Sequence, residues 1–164
     1  MNLKNKRKRF PAITRAALKK LAGDVYFERG VDYYDAGTVV QLRVGNDGIT
    51  ARVQGSELIP YLVRFWHEKQ KLQWGCACPL GDEGAFCKHV VATGLAYRAG
   101  DEVDNLDSEP DNADALEEIR QLLKLLDPPA LEDLITQQAL WDERLLAELR
   151  LLGRAARDIY NKNK

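Results

Sequence analysis

The sequence predicts an α+β fold in which a small antiparallel sheet is preceded by short helices and followed by a small helical bundle. Apolar and polar residues alternate from residue 37 to residue 76, which is typical of half-buried strands. All three cysteines lie within residues 76–87, and beyond residue 113 leucines recur at helical spacing. With 164 residues, of which 45% are hydrophobic, the chain is long enough for one domain with a small appendage.

Two short helices are predicted before the sheet. The first runs from Ala12 to Ala22, and Gly23 is a candidate stop. Asp24 is a candidate cap of a second helix that ends at Tyr34. The residues expected to be buried on these helices are Ile13, Ala16, Ala17, Leu21, Val25, Phe27, Val31 and Tyr34.

Four strands are predicted, over residues 37–44, 49–53, 58–66 and 72–76. The run Asn46-Asp47-Gly48 is a hairpin signal between the first two strands. Because proline cannot donate to a strand ladder, Pro60 indicates that the third strand begins at an edge or a bulge. Residues 67–70 are predicted as a polar turn, with His67 exposed.

The cysteines and one histidine form a motif that reads C-x-C, eight residues, then C-x-H, with Cys76, Cys78, Cys87 and His89. Side chains two residues apart on a strand point the same way, so the first two thiols can share a metal. Residues i and i+2 do not face each other in a helix, which places Cys87 and His89 on a turn before a helix over residues 90–98. Three sulfurs and one imidazole satisfy tetrahedral zinc and leave no open position, so we predict one structural zinc ion (Zn²⁺).

Other uses of these residues fit the pattern less well. Disulfide bonding would leave an odd cysteine, and nothing in the sequence indicates secretion. An iron–sulfur cluster generally takes four cysteines. Three buried thiols without a metal, beside an unrelated histidine, are the plain structural alternative. Cysteines placed only in a metal motif are typical of a reducing compartment, so a cytoplasmic location is expected.

The segment C-A-C-P…F-C-K-H-V-V-A resembles the SWIM-type zinc finger, whose pattern is C-x-C-x(n)-C-x-H. The resemblance spans residues 25–98 and is most specific at the four ligands. It implies a zinc-binding domain over residues 23–99 that acts in DNA binding or protein interaction. No segment resembles the ATPase, kinase or transposase that often accompanies such modules. Upstream of the cysteines, the similar residues are Phe27, Gly30, Tyr33 or Tyr34, Gly37–Val39, Val53–Ser56, Tyr61 and Val63.

The C-terminal part is predicted to form a separate helical unit over residues 113–160, after an acidic linker over residues 100–112. A leucine stripe runs to Leu126, where Asp127-Pro128-Pro129 ends the first helix. Short connections imply antiparallel neighbours in a bundle. In composition this part is similar to the tails of stand-alone bacterial SWIM proteins. The third helix is expected to bury Leu145, Leu146, Leu149, Leu152 and Ala156.

Charge is distributed unevenly, although the formal net charge is -1. Residues 1–20 carry eight basic and no acidic side chains, whereas residues 101–118 carry nine acidic and no basic ones. A basic arm over residues 1–22 can neutralise phosphates, so electrostatic binding of nucleic acid, above all DNA, is predicted. A solvated terminus is the alternative. The candidate contacts are Lys4, Lys6, Arg7, Lys8 and Arg9.

Two further function classes compete with nucleic-acid binding. A protein-interaction adaptor would use the C-terminal helices to bind a partner. A DNA-dependent ATPase is one example, because the resemblance implies that SWIM modules often accompany such enzymes. An enzyme is not expected, because no P-loop, paired-carboxylate site or Cys–His nucleophile is left once the motif is assigned. No apolar run approaches the ~18–20 residues of a membrane helix, so no membrane partner is expected. Without a catalytic site, no small-molecule substrate is expected either.

Overall fold

A computed structural model describes residues 10–45, 48–101, 103–104 and 113–160. The fold is α+β, as predicted. None of the described helices has both the length and the apolar character that crossing a membrane requires. The helices are α1 Arg15–Asp35, α2 Pro79–Asp82, α3 Lys88–Ala99, α4 Ala113–Leu125, α5 Pro128–Ala139 and α6 Glu143–Tyr160. The strands are β1 Val39–Val44, β2 Ile49–Val53, β3 Tyr61–Glu68, β4 Lys71–Cys76 and β5 Val103–Asp104.

The five strands form one antiparallel sheet in the order β4-β3-β2-β1-β5. The first four follow one another as a meander, because each is joined to the next by a short turn. The fifth was not predicted. It lies in the segment predicted as an acidic linker, where Val103 pairs with Leu42 and Asp104 pairs with Gln41.

The third strand differs from its predicted bounds of 58–66. It begins at Tyr61, directly after Pro60, and Leu58 before it is 99% exposed. The strand then continues to Glu68, so His67 lies in a strand and not in a turn. His67 is half-buried rather than exposed, because its ring stacks on Phe10 at 4.6 Å between centroids. The turn itself is formed by residues 69 and 70, both with positive φ.

Both faces of the sheet are covered, each by its own apolar cluster. Val63 and Phe65 face α3 and are fully buried with Val90 and Val91. The alternate residues of the same strand point to the opposite face and pack against α6. The cluster on this second face is Leu62, Trp66, Ala77, Ala147, Leu151 and Ala155.

Helix α1 packs on α3 and is interrupted where a stop was predicted. Gly23 has φ 72 and ψ 166, a conformation that favours glycine and separates two helical segments. The helix begins after Thr14, whose side chain accepts a hydrogen bond from the Ala17 N–H at 3.1 Å. The predicted buried face was right only in part: Ile13 and Phe27 are buried as expected, but Leu18, which was not expected to be, is 1% exposed because it packs on Gly94 of α3. By contrast, Leu21 is 41% and Val25 62% exposed.

The three C-terminal helices exist where they were predicted, but their packing differs from a bundle. Every described side chain of α4, over residues 117–125, is exposed. Helix α6 contacts α5 and lies on the second face of the sheet. Its buried residues are Ala147, Leu151 and Ala155, whereas Leu152, expected to be buried, is 39% exposed. The face of α6 is set by the sheet, which offers Leu62 and Trp66, and not by the other helices.

Candidate metal centre

Three elements bring the predicted ligands together. Cys76 is the last residue of β4, and Cys78 is the N-cap of α2. Cys87 is the N-cap of α3, and His89 lies in the first turn of that helix. Cys87 precedes the helix as expected, whereas His89, expected on the turn before residue 90, lies inside the helix because α3 already begins at Lys88. A sheet edge and two helix starts converge on one point, where all four residues are at most 4% exposed.

The separations of the ligand atoms fit a tetrahedral metal. All four lie within 4.8 Å of one another. The Cys78 Sγ and Cys87 Sγ atoms are 3.6 Å apart, and His89 Nδ1 lies 3.7 Å from the Sγ of both Cys76 and Cys87. Zinc–sulfur bonds of about 2.3 Å and zinc–nitrogen bonds of about 2.05 Å give tetrahedral edges in the same range of about 3.6–3.8 Å. A disulfide would need a separation of about 2.05 Å, so these atoms are spaced for a shared ion.

The pKa values of the three thiols shift in opposite directions. Hydrogen bonds with Cys76 and Cys87 lower the pKa of Cys78 far below its usual range. Burial raises the pKa of Cys76 well above its usual range. For Cys87, the hydrogen bond with Cys76 lowers the pKa, but the bond with Cys78 and burial outweigh it and raise the pKa to about 11. The protein groups alone thus stabilise one thiolate, and a divalent ion among them would stabilise all three.

Aromatic rings hold the His89 imidazole in place. Tyr61 lies 5.0 Å and Tyr33 5.4 Å from it between ring centroids. A Cβ on Gly55 would lie 3.3 Å from Nε2, so the backbone of residue 55 lies close to this nitrogen. Nε2 is buried and has no hydrogen-bond partner among the described residues. With Nδ1 directed at the sulfurs, the ring presents one ligand atom to a metal in a fixed orientation.

The connection between the two ligand pairs contributes a backbone donor. The N–H of Gly81, in α2, donates to Cys78 Sγ at 3.3 Å. The N–H of Cys78 donates to Cys76 Sγ at 3.5 Å. Such N–H···S contacts favour the thiolate form that a metal requires. The short helix α2 therefore orients the second ligand, besides returning the chain to α3.

Comparison with known proteins gives no match to a family model, a curated protein or a solved structure. The SWIM resemblance stays a prediction that depends on the residues themselves. Several of those residues surround the ligands in space. Tyr33 and Tyr61 contact the His89 ring, Gly55 lies against it, and Gly30 packs directly on Val91 of α3.

The basic arm is the other predicted site. Lys4, Lys6, Arg7, Lys8 and Arg9 lie outside the described residues. The arm has a defined anchor, because Phe10 is only 4% exposed and its N–H donates to the Tyr97 hydroxyl at 3.3 Å. Sequence reasoning did not predict that Tyr33 contacts the ring of a ligand. The available signal was its place among the residues upstream of the cysteines that resemble the SWIM family.

Proposed function

We propose that Cys76, Cys78, Cys87 and His89 hold one structural zinc ion and that the chain is a SWIM-type binding module. The observation that carries this proposal is the convergence of four buried ligand atoms within 4.8 Å of one another. Three thiolates and one imidazole are a donor set that suits zinc. The ion would fasten the end of β4 to the start of α3, and so connect the sheet to its most buried helix.

The proposed role is binding and not catalysis. Four protein ligands complete a tetrahedral shell, so no position is left for a substrate or an activated water. The cluster is also almost fully enclosed, since its most exposed member, His89, is 4% exposed. A metal in such surroundings stabilises a fold and has no access to a reactant.

Nucleic acid is the proposed partner, and DNA the first to be tested. Support comes from the eight basic side chains within residues 1–20, which no acid accompanies. Contacts of basic side chains with the phosphates of a nucleic acid depend little on its base sequence, and they weaken steeply as the salt concentration rises. Because Phe10 is anchored against His67 and Tyr97, the basic residues before it start from a fixed point on the domain.

Deletion of residues 1–9 tests the role of the arm. The deletion stops before Phe10, whose ring belongs to the core, so the domain should keep its fold and its metal. Binding to labelled single-stranded and duplex DNA would be titrated at two salt concentrations. We expect the deletion to remove most of the affinity and to lower the salt slope by about 0.9 per lost phosphate contact on duplex DNA. If the deletion variant binds DNA as tightly as the intact chain, the arm is only a solvated terminus and does not contact the nucleic acid.

A protein-interaction adaptor is the second candidate, and the exposure of α4 favours it. Ile119, Leu122 and Leu123 share one side of this helix and are 44–53% exposed. Apolar docking persists at moderate salt, whereas phosphate binding weakens. Capture of partners from nuclease-treated and untreated lysates, each at two salt concentrations, separates the two candidates.

A further inference from the structure

Each of the two tyrosine rings that contact His89 also contacts a cation. The Lys88 ammonium lies 4.2 Å from the ring centroid of Tyr33, and the Arg144 guanidinium lies 5.2 Å from that of Tyr61. Lys88 is the sequence neighbour of His89, so its contact is local. Arg144 belongs to α6, in the part of the chain that was predicted to fold separately. Its contact with Tyr61 therefore connects a distant helix to the surroundings of the candidate metal centre.

The Arg144 guanidinium is held in place by backbone carbonyls next to Tyr61. Its Nη2 donates to the carbonyl oxygens of Ile59 and Pro60, the latter at 2.6 Å. Its Nε lies 3.8 Å from Glu148 Oε1, one turn further along α6. Because the guanidinium is planar and its donors point in fixed directions, these contacts determine where it lies relative to the Tyr61 ring. The arginine thus joins α6 to the residues that lead into β3.

The Tyr61 ring has little freedom to move. Tyr61 is buried, and its ring is tilted by 43° to the His89 imidazole at 5.0 Å between centroids. A Cβ on Gly55 would lie only 2.6 Å from Tyr61 Cε2, so the backbone of residue 55 packs closely against the ring. Side chains packed at this density shift together and not singly. Loss of the Arg144 contact should therefore change the position of Tyr61 and, through it, that of His89.

His89 depends on such packing because it lacks the usual support of a metal-bound histidine. A ligating imidazole normally donates its second ring N–H to a carboxylate, a carbonyl or a water, which fixes the orientation of the ring. Nδ1 of His89 faces the sulfurs, and Nε2 is buried without a hydrogen-bond partner among the described residues. The neighbouring rings are then what orients the imidazole.

A second contact between α6 and the ligand-bearing segment is weaker. Arg150 forms an ion pair with Asp82 of α2 at 2.7 Å, but its side chain is 55% exposed, and ion pairs this exposed contribute little. Arg144 is half-buried and Tyr61 is buried, and a contact between a cation and a ring strengthens as water is excluded. Of the two contacts, the one through Arg144 is expected to affect the metal centre more.

We propose that Arg144 is a positioning residue for the metal ligand His89 and that it acts through the ring of Tyr61. The inference rests on the proposed zinc site and adds to it a residue from α6. The unit that holds the metal then extends beyond residues 23–99, the domain expected from the sequence. Loosening of α6 should weaken zinc binding although all four ligands are still present.

The test is the variant Arg144→Ala in the full chain. The matched control is Arg52→Ala, because Arg52 also contacts Glu148, at 2.5 Å, and the Pro60 carbonyl, at 3.5 Å. Unlike Arg144, Arg52 does not stack on an aromatic ring in the described part of the chain. The two variants therefore remove the same charge and similar polar contacts, and differ in the contact with Tyr61.

Zinc affinity would be measured by competition with a fluorescent chelator. We expect Arg144→Ala to lose about tenfold, the lower end of the range of about 10–100-fold for residues that support a metal ligand. Arg52→Ala should lose less than about threefold, because partly exposed ion pairs contribute little. Equal losses in the two variants, or none in Arg144→Ala, would overturn the positioning role.

The ring-proton NMR resonances of His89 provide a readout that a general loss of stability would not move. They depend on the ring current of Tyr61, so Arg144→Ala should shift them in the folded, zinc-bound chain and Arg52→Ala should not. Unshifted resonances in Arg144→Ala would contradict a repositioned ring.

A double-mutant cycle tests the route through the ring. Tyr61→Phe keeps the ring, so adding Arg144→Ala to it should still lower the zinc affinity about tenfold. Tyr61→Leu removes the ring, and adding Arg144→Ala should then cause no further loss. A further tenfold loss in the Tyr61→Leu chain would show that Arg144 acts by another route.

The measurements also separate this inference from the function on which it rests. An intact chain that binds no zinc would refute the zinc site itself. An intact chain that binds one zinc ion, with the same affinity after Arg144→Ala, would leave the zinc site standing and overturn the role of Arg144.

Discussion

Helices α3 and α4 have similar lengths and opposite surroundings. Residues 89–97 of α3 are all buried, whereas residues 117–125 of α4 are all exposed. Helix α3 is largely apolar around its circumference and lies between the sheet and α1, with two of the candidate metal ligands at its start. Helix α4 has a narrow apolar stripe, and its remaining sides are charged or polar. Helical spacing thus predicts a helix, but only surrounding apolar surface determines what it packs against.

The largest effect is expected at the metal. Cys87→Ser removes a ligand at the N-cap of α3, and because metal binding is coupled to folding, the module over residues 37–98 should unfold rather than weaken slightly. Circular dichroism and metal analysis of the purified variant would measure this. His67→Ala is the control, since His67 stacks on Phe10 and is not in the ligand cluster. A Cys87→Ser protein with unchanged melting and metal content would refute the assignment.

A smaller effect compares α6 with α4 directly. Leu151 is fully buried on the sheet, so Leu151→Ala should destabilise by about 2–5 kcal/mol. Leu123 is 44% exposed on α4, and Leu123→Ala should change stability by no more than about 0.5 kcal/mol. Urea unfolding of both variants gives the comparison. Similar losses at the two positions would mean that α4 is covered in solution.

Two glycines should respond with opposite signs. A Cβ on Gly30 would overlap Val91 where α1 crosses α3, so Gly30→Ala should cost about 1–3 kcal/mol. A Cβ on Gly153 meets open space on α6, and Gly153→Ala should stabilise by about 0.4–1 kcal/mol. Thermal melts of the two variants check the signs. Stabilisation by Gly30→Ala would show that α1 and α3 do not approach each other this closely.

The smallest structural change is expected when the chain is cut between the sheet and the C-terminal helices. A glutamate-specific protease should cut first between Gly100 and Asn112. Within that stretch, cleavage after Glu109 should precede cleavage after Glu102, because Glu102 is next to β5, which pairs with the sheet. The C-terminal fragment should remain bound, since α6 packs on β3 and forms the ion pair Arg52–Glu148 at 2.5 Å. Gel filtration after cleavage shows this. Separation of the fragments would indicate an independent helical unit.

The ligands were predictable because their spacing reflects local geometry. A cysteine at the end of a strand with a second cysteine two residues later, and a cysteine–histidine pair at a helix start, are decided by short stretches of chain. The existence of α4, α5 and α6 was predictable for the same reason, through helical spacing and the Asp127-Pro128-Pro129 stop.

The buried faces were harder to predict because they depend on distant residues. Leu151 is buried and Leu152 exposed because the second face of the sheet presents Leu62 and Trp66, some 90 residues earlier in the chain. Leu18 is buried in place of Leu21 because Gly94 leaves room for it. The alternating pattern of β3 predicted a strand with one buried face. Nothing in the neighbouring sequence indicated that its other face is buried too. Strand β5 depends on pairing with β1 and has only two residues to signal it.

The most direct test of the account is the metal itself. Zinc in the purified full chain would be quantified by mass spectrometry, and its ligands determined by X-ray absorption at the zinc edge. The account predicts one zinc per chain with three sulfurs at about 2.3 Å and one nitrogen at about 2.0–2.1 Å. A folded chain without stoichiometric zinc, or zinc with a different set of ligands, would contradict it.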